Sequence, residues 1–152
     1  MKKLVLLTLF FAFILSACGG VKATVGSDPY SKQTQAIVEK WIAALNNRDA
    51  TALVSLYSND YTLRDCSLMP CDVETTLPAM KEGYAGYFND PNFKMKIQSY
   101  FVTAYGRFVI IQGIYDDKSE FPTPSPLMIL LEIKNGLILN ETMYYLSYYI
   151  PG

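Results

Sequence analysis

Histidine is absent from this chain of 152 residues. Its absence excludes Ser-His-Asp and Cys-His nucleophilic catalysis, imidazole metal sites and every histidine acid/base mechanism. Proton transfer near neutral pH is left to a carboxylate with raised pKa, a tyrosine, or a lysine with lowered pKa. No Gly-rich phosphate loop follows a strand, so nucleotide chemistry has no motif to rest on. No run of Lys or Arg exceeds a pair and the net charge is −1, which excludes a nucleic-acid footprint and a polybasic grip on lipid headgroups. Cysteine is scarce as well. Cys66 and Cys71, five apart with no second cluster, do not make a four-ligand metal set, so neither metal nor cofactor is expected.

What is present begins with an address. Met1-Lys2-Lys3 supplies a positive start, and Leu4 to Ala17 supplies an apolar run too short for the roughly 20 residues that cross a bilayer. The segment Leu15-Ser16-Ala17-Cys18, followed by Gly19-Gly20, resembles a bacterial lipobox. The resemblance implies a signal peptide over residues 1–17, cleavage before Cys18, and acylation of that cysteine. Two or three acyl chains, at about 0.8 kcal/mol per buried CH₂, would hold the protein on the bilayer. The expected location is the cell envelope, and in a Gram-negative host Gly19 implies the outer membrane facing the periplasm. The leader takes Lys2 and Lys3 with it, so 13 basic and 14 acidic residues become 11 and 14, a net charge of −3. Residues 18–27 are rich in small side chains and read as a flexible tether with an r.m.s. span of roughly 17 Å. Residues 28–152 read as one domain.

With Cys18 lipidated, Cys66 and Cys71 form an even pair in a compartment where disulfides survive, and a bond between them is expected; two free thiols are the alternative. The ring of six residues would contribute roughly 2 kcal/mol, enough to stiffen a loop and too little to organise a fold.

Within the domain, Ile37, Val38, Trp41, Ile42 and Leu45 recur at helical spacing, predicting a helix from Asp28-Pro29 to Asn46-Asn47. Asp49 reads as the N-cap of a short second helix through Leu53 and Leu56, and Tyr61-Thr62-Leu63 as a short strand. A third helix is predicted from Thr76-Leu77-Pro78 to Phe88, stopped by Asn89-Asp90-Pro91. Strands follow near Phe93–Gln98, Phe108–Tyr115, Leu127–Ile133 and Leu137–Tyr149, with Asn135-Gly136 as a hairpin turn. The Pro-rich stretch Phe121 to Pro126 reads as a stiff connection inside the domain. Helices followed by antiparallel strands make an α+β pattern.

The stretch Val38-Glu39-Lys40-Trp41-Ile42-Ala43-Ala44-Leu45-Asn46-Asn47-Arg48-Asp49, then Leu53, Leu56-Tyr57, Asp60 and Asp65, resembles the opening of a nuclear transport factor 2-like domain, the SnoaL-like and ketosteroid isomerase superfamily. Gly83, Tyr84 and Phe88 on the third helix and Lys134-Asn135-Gly136-Leu137-Ile138 near the C-terminus agree with it. The resemblance implies a cone-shaped cystatin-like fold, about three N-terminal helices packed on a curved, mostly antiparallel sheet. It covers residues 30–147 and leaves function open, because the superfamily hosts isomerases, dehydratases, cyclases, hydrolases and non-catalytic binders.

Carried onto this chain, the resemblance places Asp65 where ketosteroid isomerases keep their general base, Trp41 where they keep an oxyanion tyrosine, and Ile129 where they keep a protonated aspartate. An isoleucine donates no hydrogen bond, and losing one oxyanion donor costs about 2.7–4 kcal/mol of transition-state stabilisation, which argues against isomerase chemistry. Asp65 also reads simply as a strand-end carboxylate capping the Cys66–Cys71 loop. Trp41, Tyr57, Tyr84, Phe88, Phe101, Ile129 and Tyr144 are candidate pocket residues, although core filling is the default reading for each of the aromatics, Tyr148 included. The preferred reading is a lipid-anchored binding or accessory module for a small apolar or aromatic ligand, predicting a hollow lined by Trp41 and Tyr57. The alternative is an acid/base lyase, cyclase or isomerase using Asp65 alone.

Strand patterning adds a homodimer. Phe108, Ile110 and Ile114 fall on one side of their strand and Val109, Ile111 and Tyr115 on the other, so both sides call for cover. Three helices in a domain this small cover one sheet face only, so a second copy is the simplest cover for the outer face; the alternative is that the C-terminal tyrosines wrap the open end within one chain.

Overall fold

The computed structural model describes residues 20–66, 71–74, 76–116 and 124–145. In chain order the elements are β1 (Lys22–Thr24), α1 (Pro29–Asn46), α2 (Ala50–Val54), β2 (Tyr57–Asp65), β3 (Asp72–Glu74), α3 (Leu77–Asn89), β4 (Lys94–Val102), a 3₁₀ turn (Ala104–Gly106), β5 (Phe108–Asp116), β6 (Ser125–Lys134) and β7 (Leu137–Tyr145). The strands form one seven-stranded sheet in the order β1-β4-β5-β6-β7-β2-β3. It is antiparallel except where β1 meets β4 and β2 meets β7. The architecture is the expected α+β one, three helices packed on a mostly antiparallel sheet.

Helix ends follow local chemistry. Asp28 caps α1, accepting from the Ser31 N–H at 2.9 Å with Pro29 in the first turn, and Asp49 caps α2 through Ala52 at 2.8 Å. Arg48, at φ +54, reverses the chain between α1 and α2 and donates to the carbonyls of Phe88, Asp90 and Phe93 at 2.7–3.0 Å. Orphan carbonyls at the end of α3 thereby receive a cation. At the other end of α3, the Tyr61 hydroxyl donates to the Thr76 carbonyl at 2.9 Å. The helix is thus pinned at both ends against the sheet.

The core lies between the helices and the inner sheet face, where Val38, Trp41, Leu53, Val109, Ile111, Ile129, Leu131 and Ile138 are sealed from solvent. β5 alternates as its two apolar sides predicted. Val109, Ile111 and Tyr115 are buried inward, whereas Phe108, Ile110 and Ile114 stay half-buried on the outer face.

Three differences from the sequence reading stand out. Lys22–Thr24, expected within a flexible tether, pair in parallel with Ser99–Phe101. An edge strand offers a row of unsatisfied backbone groups, and three extended residues satisfy them without any side-chain pattern to announce it. β2 begins at Tyr57 rather than Tyr61, since the register shift between Tyr57 and Thr62 breaks its alternation. The Cys66–Cys71 disulfide forms as expected, but it closes a β2–β3 hairpin whose second strand, three residues long, is too short to be read from sequence.

Candidate functional site

A carboxyl group is buried beneath α3, where sequence reasoning placed none. Glu141 on β7 is fully sealed from solvent. α1 brings Trp41 to it, β2 brings Tyr57, and α3 brings Tyr84. The Trp41 indole N–H donates to the Tyr57 oxygen at 2.9 Å, the Tyr57 hydroxyl donates to Glu141 Oε2, and the Tyr84 hydroxyl donates to Glu141 Oε1 at 3.3 Å. Burial raises the Glu141 carboxyl from its ordinary 4.5 to about 7, against the two tyrosine hydrogen bonds that favour the charged form, and the Asp65 charge adds to the rise. Burial first, and then Glu141, hold both phenols well above their ordinary value, so Tyr57 and Tyr84 keep their protons.

A β-bulge hid this glutamate. Ile133 pairs with Ile138 while Glu132 pairs with Asn140, so Leu139 is an extra residue in β7. Counting by twos from the inward Ile138 would send Glu141 to solvent. The inserted residue reverses the parity and turns Glu141 and Met143 inward. The available signal was an acid centred in the apolar run Leu137 to Tyr145.

Tyr84 also faces a groove of about 270 Å³ between α3 and the β2–β3–β7 edge. Leu63, Met80, Tyr87 and Met143 make its apolar walls, and Asp65 and Asp72 add two carboxylates. These two aspartates pair directly across β2 and β3, and the Cys66–Cys71 bond follows immediately after them. The pairing brings two carboxylates to one end of the groove.

Of the residues singled out from sequence, the structure brings Trp41, Tyr57 and Tyr84 together and sets Asp65 at the groove. It corrects the rest of the pocket. Trp41 and Tyr57 are buried in the Glu141 network and line no hollow. Phe88 packs edge-on to Phe93, which meets Tyr115 in turn, as part of an aromatic core cluster. Ile129 is fully buried under the helices. Phe101 and Tyr144 stand on the outer sheet face, since their strand neighbours Tyr100, Val102 and Met143 take the inward positions. Cys18, Tyr148 and Tyr149, the predicted end of the last strand, lie outside the described residues. Among the described residues, no cluster of three or more His, Cys, Asp or Glu could hold a metal ion.

The sequence profile of the SnoaL-like domain matches residues 38–141. Among solved structures, an NTF2-like protein of unknown function from Mesorhizobium loti superposes with a TM-score of 0.69 at 16% identity, over 82% of this chain and 98% of that one. A protein with a cystatin-like fold from Methylobium petroleophilum gives 0.65 at 10% identity, over 80% of each chain. A protein with a ketosteroid isomerase-like fold from Catenulispora acidiphila, in complex with trimethylamine, gives 0.59 at 25% identity, over 72% of this chain and 84% of that one. No curated protein matches the chain.

Proposed function

The chain belongs to the SnoaL-like domain family, and we propose that it is a lipid-anchored binding protein whose α3 groove takes a small ligand with an apolar body and a positively charged end. The observation that carries this reading is the Asp65–Asp72 pair, set opposite each other beside tyrosine and methionine walls. A protonated amine complements the two carboxylates, and the tyrosine and methionine walls suit the apolar body of an organic cation. The trimethylamine bound to the Catenulispora protein supports the same ligand chemistry.

The enzymatic reading gains the position of Asp65 at the groove, yet none of Trp41, Tyr84 and Ile129 offers it an oxyanion donor. The Tyr84 hydroxyl is directed at Glu141, the Trp41 N–H at Tyr57, and Ile129 donates nothing. Binding therefore takes precedence over turnover.

Calorimetry with benzylamine against neutral benzyl alcohol tests the proposal. Benzylamine binds and the alcohol does not, and Asp65→Asn weakens the amine at least about tenfold, or 1.4 kcal/mol. Equal affinities for amine and alcohol would overturn the charge-based reading.

Lipid attachment at Cys18 belongs to this proposal. Only Gly19, Gly20 and Val21 separate Cys18 from β1, a reach of at most about 14 Å, so an acylated Cys18 would hold the sheet edge close to the bilayer. Cys18→Ser is expected to leave unprocessed precursor without lipid. Intact mass and detergent partitioning decide it; a mass and partitioning identical to the parent's refute the anchor.

Self-association completes the reading. On the outer face, Phe101 pairs with Ile110 and Ile110 with Leu130, while Met128 pairs with Tyr144. Phe101, Met128 and Tyr144 are exposed, and a continuous apolar face of this kind favours a second copy as its cover. Light scattering across a dilution series of the domain lacking residues 1–18 should give a dimer mass. A monomer mass persisting at high micromolar concentration rejects it.

A further inference from the structure

A second groove, of about 670 Å³ and sharing no residue with the first, opens between the start of α1, the 3₁₀ turn and the β6–β7 hairpin. Two tyrosines flank it, both turned out to solvent: Tyr30 is 64% exposed and Tyr105 77%. Tyr105 holds φ +65 and ψ +13, a left-handed conformation that is a genuine outlier for a bulky side chain. The surroundings enforce it. The Ser31 hydroxyl donates to the Thr103 carbonyl at 3.2 Å, the Thr34 hydroxyl donates to the Gly106 carbonyl at 2.6 Å, and Gly106 rests against the backbone of Tyr30. A backbone outlier over-determined by its neighbours and spent on exposing an aromatic ring is a mark of a recognition site.

The rest of the lining supplies polarity of one kind. Arg107 and Lys134 contribute cations and Gln33 and Asn135 contribute amides, with no acid among the described residues that line the groove. Arg107 meets Glu132 through Nε and Nη2 at 3.1 and 2.9 Å, yet it stays 67% exposed, and that pair leaves Nη1 unused.

We infer that this groove binds an acidic sugar chain. Pyranose rings stack on exposed tyrosine faces, side-chain amides meet hydroxyl groups at fixed angles, and the guanidinium and ammonium meet carboxylates along the chain. A trough open to solvent admits an extended chain where an enclosed cavity would not, and its charge complements the ligand's.

The test is calorimetry of the full chain at low salt with a hyaluronan tetrasaccharide, neutral chitotetraose, and phosphatidylglycerol vesicles. The acidic tetrasaccharide should bind, and Tyr105→Asn and Lys134→Gln should each weaken it at least about tenfold. Asn tolerates the left-handed backbone, so the thermal midpoint of Tyr105→Asn should equal or exceed the parent's, separating lost recognition from lost folding. Absence of binding, undiminished binding in both variants, or chitotetraose binding as tightly overturns the inference. Capture by vesicles without binding of the tetrasaccharide overturns it in favour of a membrane contact.

Discussion

Replacing Glu141 by Gln should make the protein more stable at pH 8 and remove most of the pH dependence of its stability. The carboxyl titrates near 7 in the fold against an ordinary 4.5. Folded protein therefore keeps a proton that the unfolded chain has released. The stability tied to that proton is complete below about pH 4.5 and disappears as pH rises through 7, a loss on the order of 3 kcal/mol. The glutamine side chain would present the same shape with no charge to desolvate. Its carbonyl can accept from Tyr57 while its amide donates to the Tyr84 oxygen, so the network survives. Thermal unfolding of parent and variant between pH 4.5 and 8.5 measures this directly. Parallel curves would show that Glu141 is not the group responsible.

Glu141→Leu has the opposite expected sign. Two buried hydroxyls lose their acceptor, each at about 1–3 kcal/mol, so destabilisation should be greatest at acid pH, where the parent is most stable, and shrink as pH rises through 7. The pair of variants separates the cost of a buried charge from the benefit of an acceptor. That contrast bears on why the residue is there. A leucine would fill the space without charge, but only an acceptor holds Tyr57 and Tyr84 in register, and Tyr84 is the wall that the network presents to the α3 groove.

The helical part of this fold was legible because its signals are local. Asp28 with Pro29, Asp49, and Pro78 just inside α3 all act within one turn of the residue that carries them. Asn135-Gly136 likewise announced its hairpin, both residues having positive φ. Features that depend on pairing were hidden. β1 is fastened by the vacant edge of β4, β3 by the disulfide and three residues of β2, and neither has a pattern of its own. Which way Phe101 and Tyr144 point is a question of parity, and register shifts in β4 and β7 alter parity without altering composition. The candidate site divided along the same line. Trp41, Tyr57, Tyr84 and Asp65 were visible as residue types on predicted elements, but Glu141, the group that organises three of them, lies just beyond a bulge.

Gly106→Ala should destabilise the protein strongly for so small a substitution. Gly106 has φ +63, and a Cβ placed there would collide with the Tyr30 carbonyl oxygen and lie 2.8 Å from Thr34 Oγ1. The carbonyl belongs to the first turn of α1, and the two segments are held together by the Thr34 bond to the Gly106 carbonyl and the Ser31 bond to the Thr103 carbonyl. Neither side can yield without breaking one of them. The left-handed backbone alone costs an alanine about 1 kcal/mol, and forcing an atom into packed structure typically adds about 1–3 kcal/mol. A total of about 3 kcal/mol corresponds to a fall in the thermal midpoint on the order of 10 °C. Gly136 provides the control: its φ is +78, but nothing lies within 4 Å of a Cβ there. Gly136→Ala should therefore show the backbone cost alone, about 1 kcal/mol. Denaturant unfolding of both variants isolates the contribution of close approach, and equal losses at the two positions would mean that the 3₁₀ turn is not seated against α1.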